Sequence, residues 1–219
     1  MPQLAFLLLA ACVRQPTITP TADQLILPES LTGRVEVLPG DDPDATAAGL
    51  DNAVKARGDG GISSGFVVQL TEDIVVYRMW SGPDVLDDAG RTSRLGSWWS
   101  SDPLAGPVEN YRVDYEVCEA WNELTWTAQC TLRAGAVVAA GPGQSVSDQT
   151  CGQPGESYPP SPAHWQLYID QFWTRGEELD CTDTSTDYPA RPEDISLSVS
   201  LPDSPGISGR RCAARSLRR

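Results

Sequence analysis

The strongest constraint on the fold is a series of short runs rich in β-branched and aromatic residues, separated by turn-forming residues. Gly65-Phe66-Val67-Val68-Gln69-Leu70 is followed, after Thr71-Glu72, by Asp73-Ile74-Val75-Val76-Tyr77-Arg78-Met79-Trp80. Such runs suit a pleated, half-buried surface and predict two strands joined tightly. Further strands are expected at residues 111–120, 124–132, 136–140 and 165–169, with a last edge strand at 197–201. Residues 111–117 and 126–132 alternate large apolar with polar side chains, the period-two pattern of a sheet with one wet face. Helical periodicity is weak, strongest over residues 170–179. With 18 Pro and 19 Gly in 219 residues, loops should be long. The expectation is an α+β, mainly β fold: a twisted or split antiparallel sheet with long loops, one or two short helices and disulfides.

Length allows one core rather than two. Residues 4–11 form an uncharged apolar run, too short to span a bilayer and long enough for the apolar part of a signal peptide. It ends in Leu9-Ala10-Ala11-Cys12, which resembles the bacterial lipobox, in which the cysteine is lipidated and becomes the mature N-terminus. That resemblance implies a signal peptide (1–11), a membrane anchor at Cys12 and a cell-envelope location; an ordinary secretion signal is the alternative. The basic start typical of such leaders is missing from Met1-Pro2-Gln3. Residues 12–62, rich in Pro, Thr, Asp, Gly and Ala, read as a flexible spacer, residues 63–203 as a single domain, and 204–219 as a basic tail.

An oxidising compartment pairs cysteines. Cys118, Cys130, Cys151 and Cys181 are the expected disulfide set, with Cys212 unpaired in the basic tail. Four cysteines allow three connectivities. Closeness in the chain favours Cys118 with Cys130 and Cys151 with Cys181.

A net charge of −14 repels nucleic acid and argues against phosphate-tracking roles. The single histidine, His164, rules out a zinc site built from several imidazoles, and a Ser-His-Asp hydrolase would have to use it. No metal or cofactor is expected, and the chain is expected to be a monomer. The crowded carboxylates Asp114, Glu116, Glu119 and Glu123 could serve glycoside hydrolysis, but a solvated strand edge is their ordinary meaning. Gly141-Pro142-Gly143-Gln144-Ser145 lacks the lysine of a phosphate loop and reads as a turn.

Three segments place costly side chains together. Arg78 interrupts an apolar strand, where it either faces solvent or, in a cleft, needs an anion or a carboxylate. Trp98 and Trp99 follow Ser97, and in a strand the two rings point to opposite faces, one into the core and one available for stacking. In residues 163–169, His164, Gln166 and Tyr168 share one face of a strand, and Trp165, Leu167 and Ile169 the other.

The order of these residues, an Arg on an early strand, a Gly-Ser-aromatic segment about twenty residues later and a Gln on a late strand, resembles ADP-ribosyltransferase-like toxins and the related NAD glycohydrolases of the tuberculosis necrotizing toxin type. The resemblance spans roughly residues 77–169 and implies a split β-sheet that clamps NAD as substrate. Carried over by position, Arg78 would hold the pyrophosphate, Ser97 would fix the strand and ribose, Trp98 or Trp99 would stack, and Gln166 would be the late-strand residue. Tyr77, Trp80 and Tyr168 would line the substrate site. No Glu lies two residues from Gln166, as one does in many transferases, which favours hydrolysis over protein modification. Cleaving the nicotinamide bond passes through an oxocarbenium-like centre that needs positioning and electrostatic support more than a histidine base. The competing expectation is a non-enzymatic envelope lipoprotein that binds a protein or glycan. The two differ on whether Arg78, Ser97 and Gln166 converge in one concave pocket.

Overall fold

A computed structural model describes residues 26–181 and 185–187. The leader expected at residues 1–11, Cys12, residues 197–201, Cys212 and the basic tail expected at 204–219 lie outside the described residues. The fold is mainly β, with nine strands in one sheet: β1 (Val35–Val37), β2 (Phe66–Leu70), β3 (Ile74–Trp80), β4 (Trp98–Ser100), β5 (Trp126–Leu132), β6 (Val137–Pro142), β7 (Trp165–Tyr168), β8 (Leu179–Asp180) and β9 (Ser185–Asp187). Among the described residues four short α-helices accompany them: α1 (Pro43–Ala47), α2 (Leu50–Ala53), α3 (Val108–Asp114) and α4 (Asp148–Cys151).

The sheet order is β1-β2-β6-β7-β4-β3-β5-β8, with β9 on β5, and every pairing between named strands is antiparallel. β2 and β3 are consecutive in the chain and do not pair with one another. β2 pairs with β6 and β3 with β5 through all seven of its residues. The tight joint expected between these two strands is present, but it links two arms of the sheet instead of pairing the strands with each other. The arms meet through three-residue β4, which pairs with β7 over three positions and with β3 only at Tyr77↔Ser100. Backbone pairing is thinnest at that seam, and there the strands leave room for a cleft.

Val68, Leu70 and Val138 from one arm share a core with Ile74, Val76, Trp80, Cys130 and Leu132 from the other. Alternation along β3 sends Ile74, Val76 and Trp80 inward and leaves Val75 exposed. Arg78 holds the next inward place in that series.

Four expectations are corrected. Residues 26–62 are part of the domain and not a free spacer: Leu31 and Ile62 are fully buried, and β1 pairs with β2. Residues 108–114 form helix α3 and not a strand. The pattern that suggested a strand also places Tyr111 and the C-cap residue Tyr115 four apart, where their tilted rings pack with centroids 4.7 Å apart. The disulfides are Cys118–Cys151 and Cys130–Cys181, not the neighbour pairing. Cys130 faces the core from β5, and Cys181 follows β8, which pairs with β5. Residues 170–179 hold only a turn of 3-10 helix, Phe172–Thr174.

Candidate functional site

A cavity of about 210 Å³ opens at the seam. Arg78 and Met79 reach it from β3, Trp98 and Trp99 from β4, Tyr111 and Tyr115 from α3, and Gln166 from β7. The loop between α3 and β5 closes it with Glu116, Trp121 and Leu124.

Arg78 carries the one full positive charge in the lining. Its guanidinium lies over the Trp99 ring, 5.6 Å from the centroid. Nε and Nη1 are buried and have no hydrogen-bond partner among the described residues. Desolvation draws its pKa below the ordinary arginine value. A buried guanidinium with idle donors is costly unless an anion completes it. Its position is fixed in part by Gly96, where a Cβ would strike Nη1 and come within 2.8 Å of Cζ. The Gly96 carbonyl accepts the Trp99 indole N–H at 2.7 Å, so one short segment seats both ring and cation.

Across the cavity, Glu116 is 1 % exposed and adopts a left-handed backbone with φ 51°. Gln166 donates from Nε2 to Glu116 Oε2 at 3.0 Å, and Glu116 Oε1 has no partner among the described residues. Burial pushes the carboxyl pKa up to about 9, against the smaller opposing pull of the Ser161 backbone and the Gln166 amide. At neutral pH it is a protonated acid. The backbone of Gly143 runs against it, since a Cβ there would lie 2.6 Å from the carboxyl carbon. The turn expected at residues 141–145 is instead the end of β6 and the residues after it, and Gly143 has a packing role in the site.

The tyrosines of α3 tie helix to sheet. The Met79 backbone N–H donates to the Tyr111 hydroxyl at 3.3 Å, and the Tyr115 and Ser100 hydroxyls share a 2.5 Å hydrogen bond. Burial raises both phenol pKa values, so both stay neutral.

Of the residues singled out in the sequence, Arg78, Trp98, Trp99 and Gln166 line this cavity. Ser97 does not: its carbonyl accepts the Ile169 N–H at 2.8 Å and its side chain meets Tyr168, so it secures the β4–β7 seam. Tyr168 packs on Trp98 at 4.7 Å and donates to Asp170 at 3.1 Å, behind the cavity wall. Trp80 is core, 3 % exposed, against Trp126. Tyr77 alternates away from Arg78 on β3 and is absent from the lining. Glu116, Tyr111 and Tyr115 were not picked out as site residues in the sequence, because residues 111–117 read as a wet strand edge. Of that acidic group Glu119 and Glu123 are exposed, and only Glu116 is buried.

His164 does not head a triad. Ser161 Oγ lies 2.8 Å and Asp114 Oδ1 3.4 Å from the same ring nitrogen, Nδ1, whereas a relay needs them on opposite nitrogens. Cys118, Cys151 and Glu156 form the single cluster of metal-ligand types among the described residues, and its two thiols are spent in a disulfide.

Trp121 is also a wall of a second, wider groove of about 680 Å³. Of nine exposed large apolar side chains among the described residues, five line it: Val85, Leu86, Leu95, Trp121 and Trp173.

No family model matches the chain, and no curated protein matches it. Among solved structures, that of Tne2 in complex with Tni2 is similar at a TM-score of 0.41 and 9 % identity, covering 63 % of this chain and all of that one.

Proposed function

We propose that the seam cavity binds NAD and hydrolyses its nicotinamide–ribose bond. The observation that carries this reading is Arg78: a buried cation with idle donors, in one cavity with Gln166, Glu116 and two tryptophan rings. In the proposed reaction the C1′–N bond breaks and its electron pair neutralises the pyridinium nitrogen. Water adds to C1′ and loses a proton, giving nicotinamide and ADP-ribose. Arg78 holds the pyrophosphate, and Trp98 or Trp99 offers a stacking face. The Glu116–Gln166 pair hydrogen-bonds the ribose hydroxyls, with Glu116 as a donor. Ser97 serves the seam and not the ligand.

A cavity of about 210 Å³ takes only part of a dinucleotide, and the groove beyond Trp121 has room for the rest. The reading includes export through the leader and a lipid anchor at Cys12. The test is nicotinamide release by the purified, oxidised chain beside Arg78→Ala and Gln166→Ala. Release lost in both folded variants supports the proposal; no release by the parent at high protein concentration overturns it.

The apolar groove favours a second reading, a binding lipoprotein that uses Val85, Leu86 and Trp173 to hold a protein partner. Retained partner capture by an Arg78→Ala chain that never turned over NAD would select it.

A further inference from the structure

We infer that the Cys118–Cys151 disulfide is a redox control on the cleft: the wall carrying Glu116 is in place while that bond is oxidised and is released when it is reduced. The inference draws on the NAD reading only for its activity measurement.

The wall is the stretch from Glu116 to Leu124, between α3 and β5, with neither helix nor strand. It gives the cavity Glu116, Val117, Trp121, Asn122 and Leu124. It begins and ends on non-glycine residues in left-handed conformations, Glu116 at φ 51° and Leu124 at φ 57°. Each costs on the order of 1 kcal/mol, so the path persists only if outside contacts hold it.

Those contacts fall into two groups. On the α3 and β3 side, Arg112 donates to the carbonyls of Val117, Asn122 and Glu123, and the Ser81 hydroxyl donates to Asn122 and accepts from the Glu123 N–H. On the other side stand the buried Gln166–Glu116 hydrogen bond at 3.0 Å, the exposed one from Glu119 N–H to Glu156 Oε1 at 2.7 Å, and the disulfide to α4. A hydrogen bond exposed to water is readily exchanged for one to solvent. The covalent tie is not, and it sits two residues from Glu116.

The two disulfides belong to different parts of the molecule. Cys130 lies in the main core with Cys181 packed against it. Cys118 and Cys151 form a small separate cluster with Val146 and Tyr158. Losing the first pair weakens the fold, whereas losing the second frees the wall and leaves the main core complete.

The chemistry balances with a thiol as reductant: two equivalents of RSH give two cysteine thiols and one RS–SR. Both sulfurs are buried, so the exchange proceeds through opening of the wall, or the bond simply never closes in a thiol-rich compartment. The site is then incomplete where the chain is made and completed where thiols are oxidised.

The test compares amide hydrogen exchange and NAD turnover in the oxidised chain, the Cys118→Ala/Cys151→Ala chain and the Cys130→Ala/Cys181→Ala chain. The first double variant should lose protection across residues 117–124, keep it across β3 and β5, and turn over NAD about a hundredfold more slowly, the scale for a displaced site group. The second should melt earlier and keep turnover per folded molecule. Unchanged protection at 117–124, or protection lost throughout the sheet, overturns the inference. If the parent has no turnover, the NAD reading fails while the exchange pattern still decides this one.

Discussion

Gln166 Nε2 donates a 3.0 Å hydrogen bond to Glu116 Oε2, joining residues 50 positions apart across the seam of the sheet. The late strand has no acidic residue of its own two places from the glutamine, and a loop after α3 brings one to it instead. The amide favours the ionised carboxylate; burial opposes it more strongly, and the acid stays protonated to about pH 9.

This raised pKa makes stability pH-dependent with a definite sign. The group ionises near 4.5 when unfolded and near 9 when folded. Its contribution is therefore full below pH 4.5 and declines as pH rises towards 9, because only the unfolded chain gains by ionising. Glu116→Gln keeps a hydrogen-bond acceptor for Gln166 and removes the proton. At pH 8 the variant should be more stable than the parent by roughly 1–3 kcal/mol, discounted for partial solvation of the carboxyl, with little difference at pH 4. Urea unfolding of both chains at the two pH values checks this, and equal pH slopes would refute the protonated acid.

Arg78 should show the opposite balance between stability and function. Its buried nitrogens lack partners, so the free protein bears a desolvation cost that a ligand would relieve. Arg78→Met keeps volume and contact with Trp99 while deleting the charge. The expected result is a chain more stable by on the order of 1 kcal/mol that has lost NAD binding, read by thermal melts and calorimetry. A large fall in stability would mean that Arg78 is structural.

What the sequence disclosed and what it hid follow from the range of the interactions involved. The strands at β2, β3, β5, β6 and β7 were legible because β-branched runs and alternation are local signals. Arg78 and Gln166 stood out because each is costly within an apolar strand. The pairing of β2 with β6 instead of β3 is set by long-range packing that no local pattern records. The disulfide pairing follows from the same topology. Tyr111 and Tyr115 were misread because a spacing of four is compatible with both a strand face and a helix face. Glu116 was hidden among exposed carboxylates, and only the fold separates it from Glu119 and Glu123.

His164 tests the mechanism by its irrelevance. With Ser161 and Asp114 both on Nδ1, the imidazole has no relay to run. His164→Ala should leave nicotinamide release within about twofold of the parent, the spread ordinary for a residue outside the reacting centre. A loss beyond a hundredfold would point to histidine-based hydrolysis instead.

Gly96 offers the sharpest probe of where the arginine must sit. Its φ is not left-handed, so alanine suits the backbone, yet the added methyl would occupy the place of Arg78 Nη1 and approach Cζ at 2.8 Å. The guanidinium is the far end of a flexible chain and can swing away, so Gly96→Ala should fold with nearly parental stability. Displaced from the Trp99 face, the cation should bind an anionic ligand at least about tenfold more weakly, a loss of roughly 1.4 kcal/mol. Calorimetric titration with NAD, beside a thermal melt, separates the two effects. Full affinity in Gly96→Ala would show that the stacked guanidinium is not the anion-binding group.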